Sequence, residues 1–286
     1  MTSPNRPSTA DKRHQFQRLH ERGCFVIPNP WDLGSALALH SLGFQALATT
    51  SAGLAWSLGR PDNGITRELV LAHLHSLVAG TDLPINADFE NGFGVDAAGV
   101  AESVRLAVDA GVAGLSIEDS TGLAAQPLFD IETAVERLRA ARSAIDQAGA
   151  DTLLVGRAEC FFVGQPDIDQ TLARIKAYAQ AGADCLYAPG IVKREDIVAV
   201  VAAAAPKPVN LLLMPGMAFS LAELAEMGVR RVSVGASLAR AAGGGFMQAA
   251  RALAGEGNCD GLVELNRQLA QAAPGRELNA LFQPAR

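Results

Sequence analysis

Pro84-Ile85-Asn86-Ala87-Asp88-Phe89-Glu90-Asn91-Gly92-Phe93-Gly94 begins as an apolar, strand-like run and ends in two acids and a glycine-rich turn. Gly114-Leu115-Ser116-Ile117-Glu118-Asp119 and Leu153-Leu154-Val155-Gly156-Arg157-Ala158-Glu159 repeat the arrangement, with charged side chains directly after apolar residues. A carboxylate at a strand end is costly to desolvate unless something compensates it. Acids converging from several strands therefore point to a cation, and the arginine beside them to an anion held against it. In an α/β barrel the C-terminal strand ends form the face that carries chemistry.

Working outward, the same alternation fills the chain. Strand-like runs occur at Cys24–Pro28, Ala46–Thr50, Ile85–Phe89, Gly114–Glu118, Thr152–Arg157, Asp184–Ala188, Pro208–Leu212 and Arg231–Gly235. Between them the spacing predicts helices at Leu33–Leu42, Arg67–Val78, Ala97–Ala110, Ile131–Ala148, Ile168–Ala181, Arg194–Ala204 and Leu221–Met227. Eight strands separated by helices, with no second compositional zone, predict a single (β/α)8 TIM barrel over residues 1–286. Beyond the eighth strand, Leu238–Leu253 and Leu262–Ala272 read as helices around a break at Gly255–Asn258. One helix completes a barrel, so this extension, residues 237–286, must cover the exterior or pack on another subunit.

The chain has 286 residues, 49% of them hydrophobic and 5% aromatic, and a net charge of −6. Its length suits one barrel, and the acidic balance argues against a nucleic-acid partner. No 18-residue apolar run or signal-peptide pattern occurs, so no membrane segment is expected. Four cysteines without close spacing fit a reduced, cytoplasmic setting.

Asp88 and Glu90 lie two apart and face the same way on a continuing strand, and Glu118 ends the next strand. Hard carboxylates without histidine or thiol favour Mg²⁺, with Mn²⁺ possible, over Zn²⁺. Asp119 and Asp130 fit helix caps instead. The fork of Arg157 suits a substrate carboxylate, though it also suits one of these acids. Thr49-Thr50-Ser51-Ala52-Gly53 offers a small-residue cradle for a carboxylate. The five histidines all fall in helical or N-terminal stretches, which argues against a histidine triad. Cys160 fits a half-buried filler better than a catalytic thiol.

Taken in order, Thr50-Ser51-Ala52-Gly53, Gly59-Arg60-Pro61-Asp62-Asn63-Gly64, Asn86 to Gly94, Ile117-Glu118-Asp119 and Val155-Gly156-Arg157-Ala158-Glu159 resemble the isocitrate lyase/phosphoenolpyruvate mutase superfamily. The resemblance implies a barrel whose last helix is swapped within a homodimer or homotetramer. It implies Mg²⁺ held largely through water and Asp88, with Asp62, Glu90 and Glu118 around it. It implies a small 2-oxo or 2-hydroxy carboxylate held by the backbone amides of Thr50 and Ser51, by Arg157 and by Asn210, with Arg157 and Glu118 as the catalytic pair.

The departures are as informative. Lyases of that superfamily carry a cysteine-bearing acid/base loop after the Glu-Asp pair, whereas Ser120–Phe129 holds no cysteine, lysine or histidine. The lysine and asparagine of phosphonate-handling members are missing too. The sequence therefore predicts a Mg²⁺-dependent carbon–carbon lyase or decarboxylase acting through an enolate. The alternatives are a phosphonate mutase or hydrolase, and a catalytically weak 2-oxo-acid-binding protein.

Overall fold

The structure, a computed structural model, describes residues 6–256, 259–269 and 279–282. Eight short parallel strands form one sheet: β1 (Phe25–Ile27), β2 (Leu47–Ala48), β3 (Ile85–Asp88), β4 (Gly114–Glu118), β5 (Leu153–Arg157), β6 (Cys185–Tyr187), β7 (Val209–Leu212) and β8 (Arg231–Ser233). Each pairs with its sequence neighbour from β2 to β8, and β8 pairs back onto β1. A backbone bond from Ala48 N to Pro28 O, 3.1 Å, bridges the seam between β1 and β2. This is a (β/α)8 TIM barrel, as the alternation predicts. Every strand lies inside its predicted segment, and the trimmed ends, such as Thr49–Thr50 and Val234–Gly235, enter the loops above the strands.

The helices are α1 (Thr9–Glu21), α2 (Leu33–Ser41), α3 (Ser51–Ser57), α4 (Arg67–Gly80), α5 (Ala97–Asp109), α6 (Ile131–Gln147), α7 (Ile168–Gln180), α8 (Arg194–Ala204), α9 (Leu221–Glu226), α10 (Ser237–Glu256) and α11 (Asp260–Leu269). Side chains of Asp32, Asp96, Asp130 and Asp167 accept the amide three residues on, satisfying a donor that the first helical turn leaves open. α10 runs to Glu256, two residues into the expected break. Gly257 and Asn258, and the end of the second predicted helix from Ala270 to Ala272, lie outside the described residues. Among the described residues no helix is long and apolar enough to cross a membrane.

Two helices escape the sequence reading. α1 is polar nearly throughout and buries only Lys12 and Phe16. Phe16 enters the N-terminal end of the barrel and packs with Ile27, Ala46, Ala48 and Ala113. Gly114 makes room for it, since a Cβ there would stand 2.7 Å from the Phe16 ring. The Lys12 ammonium donates to Val78 O and Thr81 O, tying the plug to the end of α4. α3 opens on Ser51, Ala52 and Gly53, residues that also read as a loop. Its N-cap is Thr50, whose Oγ1 accepts from Gly53 N at 3.3 Å.

Candidate active site

The ladder register assembles the site. Glu118 stands opposite Arg157, Arg157 opposite Tyr187, Tyr187 opposite Asn210 and Asn210 opposite Arg231, one row crossing five strands. Because barrel strands are tilted and staggered, that row starts among the C-terminal loops and descends into the barrel. Asp88 stands opposite Ser116 in the neighbouring row. A cavity of about 290 Å³ opens above these residues and includes Asp62, Asp88, Arg157, Tyr187 and Asn210 in its walls.

Arg157 is the hub. Its Nη1 lies 3.1 Å from Asp88 Oδ1 and 3.1 Å from Glu118 Oε2, and its Nε donates to Glu159 Oε1. The guanidinium lies over the Tyr187 ring, 5.1 Å from its centroid. Nη2 takes part in none of these bonds and is not sealed from open space. Of the two readings of Arg157, the structure shows the pairing with the acids.

Asp88 is held from two sides. Its Oδ2 accepts from Ser51 N and Ser51 Oγ, each at 2.9 Å, while its own N–H donates to Thr49 Oγ1. Ser51, expected to cradle a substrate, is thus directed at Asp88. Asn210, expected in the same role, is 1% exposed, and its amide accepts from Arg231 Nε and donates to Ser233 Oγ. Both line the cavity, yet their side-chain bonds within the protein orient other site residues.

Glu90 reaches the cluster by a different route from the one its spacing suggests. β3 ends at Asp88, and Glu90 has φ +46, so the two do not share a continuing strand. A left-handed turn carries Glu90 into place, with its carbonyl accepting from Glu118 N at 3.0 Å. Burial, then the Asp88 and Asp62 charges, push its carboxyl up to about 8, and its buried Oε1 has no hydrogen-bond partner. Burial also raises Glu118, with Arg157 opposing, and partial burial raises Asp62.

Desolvated, mutually repelling carboxylates with an orphaned oxygen are a donor set that a hard divalent cation suits. Among the described residues, however, no three histidine, cysteine or acidic side chains converge closely enough to ligate an ion alone. Asp62, Glu90 and Glu118 each feel the Asp88 charge, and Asp88 and Glu118 are drawn onto Arg157.

The sequence reading misses two members of the site. Glu159, 3% exposed, is bound to Arg157, and its N–H donates to Asp119 Oδ1 at 2.8 Å. Asp119 is not a cap. Its Oδ2 accepts from Arg174 Nη1 at 2.9 Å and from the Tyr178 hydroxyl, forming a buried network behind β5. Asp130 does cap a helix, as expected. Cys160 turns away, its thiol donating to Gln170 Oε1. The Ser120–Phe129 loop folds on itself through a bridge between Ser120 and Leu128, presenting no acid or base of its own at the cavity.

The family profile described as phosphoenolpyruvate phosphomutase matches residues 16–254, which spans the whole barrel. The chain belongs to the phosphoenolpyruvate phosphomutase family. With it the chain enters the isocitrate lyase/phosphoenolpyruvate mutase superfamily, whose members are lyases and mutases. A crystal structure from Burkholderia cenocepacia J2315, described as a lyase/mutase, is 47% identical with TM-score 0.89, covering 96% of this chain and 97% of that one. An oxaloacetate decarboxylase from Paraburkholderia xenovorans is 31% identical over 232 residues, 78% of this chain and 75% of its own. A 2-methylisocitrate lyase from Escherichia coli is 33% identical over 186 residues, 60% of this chain and 62% of its own. Within this phosphoenolpyruvate phosphomutase-family barrel, the Arg157 hub and the acids around Asp88 occupy the C-terminal strand ends, where barrel enzymes carry their chemistry.

Proposed function

We propose that this chain cleaves a carbon–carbon bond in a small 2-oxo carboxylate with the help of Mg²⁺ at Asp88, and that decarboxylation of a 2-oxo dicarboxylate such as oxaloacetate is its reaction. The observation that carries this reading is an acid cluster and arginine hub lying beside a loop with no acid or base. Loss of carbon dioxide breaks the bond without proton removal from the substrate, so it does not need the group that the loop lacks. The electron pair left on the carbon becomes an enolate, and a proton then completes the product.

The bound cation would supply Lewis-acid polarisation of the 2-oxo group. Asp88 would hold it, with Asp62 and Glu90 outside, and Arg157 Nη2 would take a substrate carboxylate. Burial pushes the Tyr187 phenol up to about 12, so it stays protonated and can donate to the developing charge. The resemblance to an oxaloacetate decarboxylase supports the choice of substrate.

A panel of oxaloacetate, isocitrate, 2-methylisocitrate and phosphonopyruvate, each with and without Mg²⁺, tests the reading in coupled assays. Mg²⁺-dependent release of pyruvate from oxaloacetate is expected. Faster turnover of either tricarboxylate or of the phosphonate, or binding without any turnover, would replace it.

A further inference from the structure

Beneath the acidic cluster, polar side chains stand beside the apolar Val155 and Leu212 within the barrel, where branched aliphatic residues usually dominate. Asn86, Ser116, Asn210 and Ser233 face the cavity there, which continues down to Arg231. Arg231 opens β8 and is 3% exposed. Its Nε donates to Asn210 Oδ1 at 2.8 Å, and its Nη1 lies 3.3 Å from Asn86 Oδ1 and 3.3 Å from His20 Nε2.

All three partners are neutral. Two are amides, and the third is an imidazole that burial and the Arg231 charge push down to about 3. The Cys185 thiol nearby is pushed up by burial and supplies no charge. Among the described residues Arg231 enters no ion pair, in contrast to Arg157 and Arg174. Its Nη2 makes no hydrogen bond and is not among the sealed, unpartnered atoms, so it opens on the cavity.

A buried cation without a counter-charge is expensive, and a guanidinium satisfies itself best with an anion. We propose that Arg231 makes the barrel interior an anion site beneath the one at Asp88. The upper anion position is the one at Arg157, beside Asp88, and the lower one takes a small monovalent anion, supplied either as a free halide or as the second carboxylate of a bound ligand. Asn86 precedes Asp88 by two residues on β3, so the two levels lie about 7 Å apart. The proposal does not depend on the reaction assigned above, because its test reads binding and not turnover.

Crystals of the full chain soaked in sodium bromide would be measured at the bromine absorption edge. An anomalous peak in hydrogen-bonding contact with Arg231 Nη2 is expected, and Arg231→Gln should lose it. Water alone beside Arg231, or bromide only on the outer surface, would overturn the proposal. Should the variant not fold, the parent crystals decide by themselves. Repeating the soak with pyruvate or malate seen bound separates the sources. Displacement of bromide by malate but not pyruvate assigns the site to a ligand carboxylate, and persistence with both assigns it to a free anion.

Discussion

Arg157 Nη1 stands 3.1 Å from Asp88 Oδ1, so the carboxylate proposed to hold a cation is paired with the guanidinium proposed to hold an anion. A metal and its anionic ligand would substitute for that pair, giving each side chain a new opposite charge. The pairing of Arg157 with Asp88, Glu118 and Glu159 explains how a cluster of acids is tolerated around it. Breaking a buried pair one-sidedly is costly, which favours arrival of metal and ligand together.

Glu90 makes the fold sensitive to pH. An ordinary glutamate carboxyl titrates near 4.5, whereas in the fold it is held up to about 8. Between those values the folded protein keeps a proton that the unfolded chain has released, so native stability falls as pH rises through that window. Glu90→Gln should therefore melt about 2 °C or more above the parent at pH 8 without metal, and match it near pH 4.5. Mg²⁺ should raise the parent's melting temperature at pH 8 more than the variant's. Equal melting of parent and variant at both pH values would remove Glu90 from the cluster's electrostatics.

Tyr187 should matter to rate more than to affinity. Loss of a positioned proton donor typically costs about 10²–10⁴-fold, so Tyr187→Phe should lower kcat by that order with KM little changed. Steady-state kinetics on oxaloacetate read the split. An unchanged kcat would show that the proton comes from elsewhere.

Behind the site, Asp119 holds Glu159 N–H, Arg174 and Tyr178 together. Asp119→Ala leaves the Arg174 guanidinium buried without its carboxylate, a loss of about 3–5 kcal/mol. The urea midpoint should fall accordingly with the slope unchanged. A midpoint within error of the parent would mean that the network relaxes around the gap.

The barrel was legible because its signal is repeated eight times, and each apolar run with its helical partner supports the others. Asp88, Glu118 and Arg157 were legible for a related reason: charge at the end of an apolar run has few structural excuses. Glu90 was found by an argument that the fold does not use, since the chain turns left-handed at that residue. Asp119 was hidden because its side-chain partners, Arg174 and Tyr178, lie on α7, far along the sequence, and Glu159 because nothing in the sequence shows that it turns back onto Arg157. Ser51 and Asn210 sit where expected, but no one-dimensional pattern tells whether a polar group faces a ligand or a neighbouring side chain. α1 was missed because its single deep anchor, Phe16, leaves no apolar stripe to detect.

We propose that α10 packs on a second copy of the chain. Phe246 and Leu253, 70% and 44% exposed, lie seven residues apart on one face of that helix, and Met247, 45% exposed, flanks them. Sedimentation should show a dimer or tetramer, and Phe246→Glu should shift it toward monomer. A parent that sediments as a monomer at micromolar concentration contradicts this.

The most direct measurement follows oxaloacetate labelled with carbon-13 at the carboxylate distal to its oxo group. Parent protein and Asp88→Ala would be compared at the same Mg²⁺ concentration, so that spontaneous loss is common to both. Transfer of the label to carbon dioxide and bicarbonate, faster with the parent by at least about 10²-fold and abolished by chelation, is the predicted result. Equal rates for parent and variant, or label retained in a carboxylate product, would contradict it.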